Sequence, residues 1–143
     1  MKTVKDLLDD KGYQLFSLAP DDTVYDAIKL MAERSVGALL VLDGARLVGI
    51  LSERDYARKV ILQGRRSQDT PVSDIMTTKV ICVNRDRTID ECMALMTDRR
   101  IRHLPVIEGD QVIGIISIGD VVRAVIREKQ FLIEQLERYI TSG

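Results

Sequence analysis

One short stretch occurs twice, which restricts the chain to folds built from a duplicated unit. The first copy reads Val41-Leu42-Asp43-Gly44-Ala45-Arg46-Leu47-Val48-Gly49-Ile50-Leu51-Ser52-Glu53-Arg54-Asp55. The second reads Val106-Ile107-Glu108-Gly109-Asp110-Gln111-Val112-Ile113-Gly114-Ile115-Ile116-Ser117-Ile118-Gly119-Asp120. Each is an apolar strand, an acid-Gly turn, a second apolar strand through a Gly, and Ser-x-x-Asp opening a helix. Gly44 and Gly109, Gly49 and Gly114, Ser52 and Ser117, Asp55 and Asp120 are all 65 positions apart. A constant offset through strand, turn and helix start marks a repeated supersecondary unit, since chance similarity would lose register at the turn.

The flanking residues extend the unit. Leu15 to Leu18 and Val80 to Val83 are short apolar runs bounded by turn chemistry, and read as strands. Thr23-x-x-Asp26 and Thr88-x-x-Glu91 are helix starts of capping-box type. Val24, Ala27, Ile28 and Met31 then recur at helical spacing, as do Ile89, Cys92, Met93 and Met96; a Met-rich face of this kind reads as core. The strands Ala38 to Leu42 and Leu47 to Ser52 are almost continuously apolar, which predicts burial on both faces. Helices follow, from Glu53 to about Leu62 and from about Ile118 onward, so each unit is β-α-β-β-α. A lead-in, Val4 to Leu8, is matched by Val72 to Met76 at an offset of 68, so the first half carries three extra residues around Asp9 to Tyr13. The polar stretch Gln63 to Pro71 is rich in breakers and reads as a linker. The expected organisation is 1–64 for the first repeat with its lead-in, 65–71 for the linker, 72–127 for the second repeat and 128–143 for a helical extension. Val125, Ile126, Leu132, Ile133, Leu136 and Ile140 carry that helix beyond the end of the first copy. It serves either as an oligomer contact or as a tail folded back on its own subunit.

Composition narrows the functional classes. The net charge of −1 supplies no global attraction to nucleic acid. Local basic groups, Arg65-Arg66 and Arg99 to Arg102, are too few to make it a leading expectation. No apolar run approaches the ~18 residues of a membrane span, and the N-terminal residues lack a signal-type apolar stretch, so a cytoplasmic location is expected. Cys82 and Cys92 are too few for a tetrahedral zinc site and align with Ser17 and Ala27, small core-like positions. They are expected to be inert, buried thiols. There is no P-loop, G-x-G-x-x-G, G-x-S-x-G or metal-ligand cluster, and the lone His103 lacks an evident nucleophile. No catalytic activity is expected.

The Ser-x-x-Asp pairs have two readings. A hydroxyl and free backbone N–H groups at a helix start can cradle a phosphate, while an Asp one turn on can accept both hydroxyls of a ribose. The same spelling is also a helix cap, contributing about 1 kcal/mol without any ligand.

The tandem copies, together with Asp74-Ile75-Met76-Thr77 and Arg102-His103-Leu104-Pro105-Val106, resemble the CBS (cystathionine β-synthase) domain pair from about Val4 to about Arg127. The resemblance implies an α+β fold of two β-α-β-β-α repeats packed with pseudo-two-fold symmetry, with the extended C-terminal helix added. It also implies two clefts for adenosyl ligands, with AMP the first candidate and ATP, ADP, NAD or S-adenosylmethionine the others. Carried onto this chain, it assigns phosphoribose contacts to Ser52 and Asp55 in one cleft and to Ser117 and Asp120 in the other; Arg54, beside Asp55, adds a fork of donors suited to phosphate. The approaches to the first hairpin strands, Val36-Gly37-Ala38 and Ile101-Arg102-His103, line the clefts. Thr23 with Ala27 and Val36, and Thr88 with Cys92 and Ile101, form the adenine slots. Met76 and Tyr13 are candidate lids, and Arg99 and Arg100 read as solvated helix-end charges. Arg54 has no counterpart at Gly119, and Arg102-His103 none at Gly37-Ala38, so the clefts are expected to be inequivalent. The implied role is a regulatory nucleotide sensor, homodimeric and signalling to a partner protein. The alternative is a ligand-free interaction scaffold on the same fold.

Overall fold

Each half is built on a hairpin whose turn requires glycine. The computed structural model describes residues 2–142; Met1 and Gly143, the ends of the outermost expected segments, lie outside it. In the first half, β2 (Ala38–Asp43) pairs antiparallel with β3 (Arg46–Ser52); in the second, β4 (His103–Glu108) pairs with β5 (Gln111–Ser117). Gly44 and Gly109 open the two-residue turns at φ 63° and 61°, where a side chain would be strained. Both hairpins shift register at matching places, Val41/Leu42 and Val106/Ile107. The repeat is therefore conserved down to its bulge.

Helices surround the hairpins: α1 (Val4–Lys11), α2 (Val24–Arg34), α3 (Glu53–Tyr56, running into a π turn over Ala57–Ile61), α4 (Ile89–Arg99) and α5 (Ile118–Ser142). Thr3, Thr23, Ser52 and Thr88 cap the first four by accepting a backbone N–H three residues on. The fold is the expected α+β pair of repeats with a long C-terminal helix.

The first strands depart from expectation. In the first half only Ser17–Leu18 forms β1, parallel to β2, and Leu40 N–H donates to Phe16 O at 3.2 Å. In the second half the expected strand Val80 to Val83 is reduced to a single bridge from Val83 to Val106. Pro105 explains the loss. It stands at the position of Leu40 and has no N–H with which to extend the ladder.

The lead-ins cross between the halves. Val4, Leu7 and Leu8 of α1 are buried in the second half among Val83, Ile89, Met96, Leu104, Val106 and Ile116. Val72, opening a 3₁₀ turn (Val72–Asp74), and Ile75 just after it are buried in the first half among Val24, Met31, Leu39, Val41 and Leu51. Matching hydrogen bonds fix the exchange: Val4 N–H to Arg87 O at 2.8 Å and Ile89 N–H to Lys2 O at 3.0 Å on one side. On the other they are Val72 N–H to Asp22 O at 2.8 Å and Val24 N–H to Thr70 O at 2.9 Å. The strand glycines receive the crossing side chains. A Cβ on Gly114 would lie 2.8 Å from Leu8 Cδ2, and one on Gly49 only 2.6 Å from Met76 Sδ. Met76 therefore packs into the core and lines neither of the two clefts described below, and Tyr13, hydrogen-bonded to Asp9, lines neither too.

Of the two cysteines expected to be buried, only Cys92 is, and Cys82 is half-buried. Cys92 is buried, and burial pushes its thiol up to about 11; burial also raises Cys82. The far part of α5 does not fold back: Ile126, Phe131, Leu132, Ile133, Leu136 and Ile140 are all more than half exposed. Among the described residues, no helix is long and apolar enough to cross a membrane.

Candidate functional site: two clefts between the repeats

Two clefts open where the hairpin of one half meets the helix starts of the other. The first, about 770 Å³, is lined by Ser52, Glu53, Arg54 and Asp55 from the first copy and by Ile101, Arg102 and His103 from the second. The second, about 550 Å³, is lined by Ser117 and Asp120 from the second copy and by Val36, Gly37 and Ala38 from the first. Both sizes suit a small-molecule ligand. Each cleft thus takes its Ser-x-x-Asp from one copy and its strand approach from the other. Consequently Arg54 and the Arg102-His103 pair, expected to mark opposite clefts, stand in the same one. The clefts are inequivalent because these charges add rather than divide.

Thr23 and Thr88 line neither cleft. Their hydroxyls cap α2 and α4, and the adjacent backbone carries the bridges Thr23–Pro71 and Thr3–Thr88 that anchor the crossed lead-ins. Ala27 and Cys92 lie in the core, so the expected adenine slots reduce to Val36 and Ile101.

Both Ser-x-x-Asp pairs are closed caps. Asp55 N–H donates to Ser52 Oγ at 3.1 Å, while Ser52 N–H and Oγ both donate to Asp55 Oδ2 at 3.0 Å. Asp120 N–H donates likewise to Ser117 Oγ at 3.1 Å, and Ser117 N–H to Asp120 Oδ2 at 2.8 Å. The strand approach of the same copy takes a further amide in each half, through Glu53 N–H to Gly37 O at 3.0 Å and Ile118 N–H to Arg102 O at 2.8 Å. The amides expected to cradle a phosphate are therefore largely satisfied within the fold. Any anion in the first cleft must be held mainly by side-chain cations.

Those cations include residues the sequence reading passed over. Arg58 and Lys59 line the first cleft one turn beyond Arg54 and Asp55, and Lys59 Nζ lies 3.2 Å from Asp55 Oδ1. The i, i+4 spacing of Asp55 and Lys59 could have revealed that pair. Arg100 was expected to be a solvated helix end; as the left-handed cap of α4 (φ 54°) it turns into the same cleft. Thr77, following the crossed lead-in, also reaches it, with its hydroxyl 3.5 Å from Asp55 Oδ1.

In the second cleft the carboxylate is already paired. Lys11 Nζ donates to Asp120 Oδ2 and to Ile115 O, both at 2.7 Å, and Arg123 donates to Asp120 Oδ1 at 2.9 Å. Burial alone would raise the Asp120 pKa, but the Lys11 and Ser117 hydrogen bonds outweigh it and hold the carboxyl below its ordinary value. Gly119 leaves space here, since a Cβ would lie 3.3 Å from an Arg123 guanidinium nitrogen.

Gly37 and His103 line both clefts and form their shared wall, with His103 Nε2 3.6 Å from where a Gly37 Cβ would be. Burial, reinforced by Lys11 and Arg102 against the opposing pull of Asp120, lowers the His103 pKa from 6.5. The folded state therefore favours neutral imidazole. The associated stability is complete above about pH 6.5, the ordinary His value, and is lost as pH falls through the lowered folded value. Melting between pH 7.5 and 5 should show a falling midpoint in the native chain and a flatter dependence in His103→Gln. Equal slopes would mean that His103 does not titrate in this window.

Two repeats with crossed lead-ins, enclosing two inter-repeat clefts, define a paired-repeat module. The CBS domain family model matches residues 4–61 and 72–127, and the chain belongs to the CBS-domain family. The CBS domain-containing protein CBSX3, mitochondrial, of Arabidopsis thaliana is 46% identical over 150 residues, covering 99% of this chain and 73% of the relative. The crystal structure of the CBS domain NE2398 superposes with a TM-score of 0.85 at 48% identity, covering 87% of this chain and 98% of that one. The CBS domain pair of MJ0100, solved with 5′-methylthioadenosine and S-adenosyl-L-methionine, has a TM-score of 0.80 at 25% identity and covers 90% of this chain and 98% of its own.

Proposed function

We propose that this chain is a regulatory sensor of adenosyl ligands, a binding module without catalytic activity of its own. The observation that carries the reading is the first cleft. There a half-buried carboxylate, Asp55, faces Ile101 and a group of cations across a cavity assembled from both repeats. A carboxylate suits a ribose diol, an apolar strand edge suits a purine face, and guanidinium forks suit phosphate. The adenosyl ligands of the MJ0100 pair support the same chemistry. In this reading AMP, ATP, ADP, NAD and S-adenosylmethionine are the candidate ligands. Binding shifts the packing of one repeat on the other because the two arrangements differ in affinity. A partner protein reads that shift in the cytoplasm. The chain acts as a homodimer, with the exposed apolar residues of α5 offering a second surface for association.

A ligand-free scaffold is favoured by one specific observation: both Ser-x-x-Asp pairs are satisfied as caps without a ligand. Thermal melting against the five candidates separates the two readings. A sensor gains stability with at least one of them, increasing with the logarithm of ligand concentration. A midpoint unmoved by all five at millimolar concentration would reject the sensor and leave the scaffold.

A further inference from the structure

We infer that the first cleft selects an oligophosphate, a nucleoside bearing two or more phosphates in line, over the monophosphate. This rests on the nucleotide reading above and specifies the ligand class. Arg54, Arg58, Arg100 and Arg102 all line this cavity, and among the described residues none of the four makes an ion pair or a side-chain hydrogen bond. The second cleft differs. Its Lys11 and Arg123 are bound to Asp120, and Arg34 stacks over the Phe16 ring at 5.2 Å. So one cleft has committed cations, while the other gathers uncommitted ones in a chain whose net charge is −1.

Four guanidiniums sharing one concave surface repel one another, and the folded chain supplies only Glu53 and Asp55 in the same lining. Asp55 is already engaged by Lys59 and Ser52. An anion of several charges removes that repulsion; a single phosphate can engage only one or two of the forks. The positions lie along a path: Arg54 and Arg58 stand one turn apart, from α3 into its π turn, and Arg100 and Arg102 flank Ile101 across the cleft. A ribose at Asp55 would direct a phosphate chain between these two pairs.

The test is calorimetric titration of the full chain with AMP, ADP, ATP and inorganic tripolyphosphate in magnesium-free buffer, on the native protein and on Arg58→Ala/Arg100→Ala. If the double variant does not fold, Arg58→Glu takes its place, since Arg58 is exposed and on no core face. Each added phosphate should tighten binding about tenfold, as one further charge-assisted contact would. The preference for ATP over AMP should collapse toward unity in the variant, and tripolyphosphate alone should bind the native chain. AMP binding as tightly as ATP would overturn the oligophosphate inference and leave the sensor standing. Binding of tripolyphosphate with no nucleotide bound would overturn the adenosyl reading and this inference together, leaving a site for inorganic polyphosphate alone. No binding of any of the four would overturn both.

Discussion

Leu8→Ala should lower the melting midpoint by on the order of ten degrees, and the loss should be felt in the half of the molecule to which Leu8 does not belong by sequence. Leu8 is fully buried, and its methyls fill the space left by the missing side chain of Gly114. Removing a buried Leu side chain costs about 2–5 kcal/mol, toward the upper end where the site cannot collapse. Here the opposing wall is strand backbone held in the β4–β5 ladder, so collapse is limited. For a chain of this size such a loss corresponds to a midpoint shift of that order. Hydrogen exchange should show Leu104, Val106 and Ile116 losing protection, whereas Leu39, Val41 and Leu51 change only as global stability falls. Faster exchange confined to α1 itself would mean that the lead-in is an accessory and the crossed packing carries little stability.

Asp55→Ala should abolish the ligand-induced shift almost entirely. A ligand at 100 times its dissociation constant adds about 2.7 kcal/mol, several degrees for this chain. Without the carboxylate, the ribose hydroxyls lose their acceptor and Lys59 loses its ion-pair partner. The substitution also opens the cap on α3, at a cost of about 1 kcal/mol before any ligand is added. The informative quantity is therefore the difference between melts with and without nucleotide, not the variant's midpoint alone. Asp120→Ala should leave the shift from the first cleft intact, because its carboxylate serves Lys11 and Arg123 on the other side of His103. If Asp120→Ala removes the shift and Asp55→Ala does not, the ligand occupies the second cleft and Lys11 must move to admit it.

The residues show why some of this was legible beforehand and some was not. The hairpins and the α5 start were readable because continuous apolar runs, turn glycines and helix caps act within a few residues, and the duplication repeats each signal. The offset of the lead-ins was readable too, but not their partners. Leu8 and Met76 look alike whether they pack on their own copy or on the other; only the space above Gly114 and Gly49 decides. The same crossing misdirected the electrostatics. Arg54 and Arg102 are 48 positions apart in the sequence, and nothing local places them in one cavity. Thr23 and Thr88 were correct as caps and misplaced as cleft residues, since a cap's hydroxyl faces its own helix end. Pro105 was in plain view, yet its effect needs knowledge that its neighbour would have asked it for an N–H.

The exchanged lead-ins also impose an order on biosynthesis. As the chain leaves the ribosome, residues 15–62 emerge with a core that still lacks Val72 and Ile75, so the earlier half cannot close until the start of the later one has appeared. Meanwhile α1, made before its partners, holds Val4, Leu7 and Leu8 exposed until β4 and β5 provide their pocket. Each half completes its core with a segment of the other, so the stability of either waits on residues from both. A ribosome stalled between the two copies would present an adhesive, unfinished half rather than a folded domain.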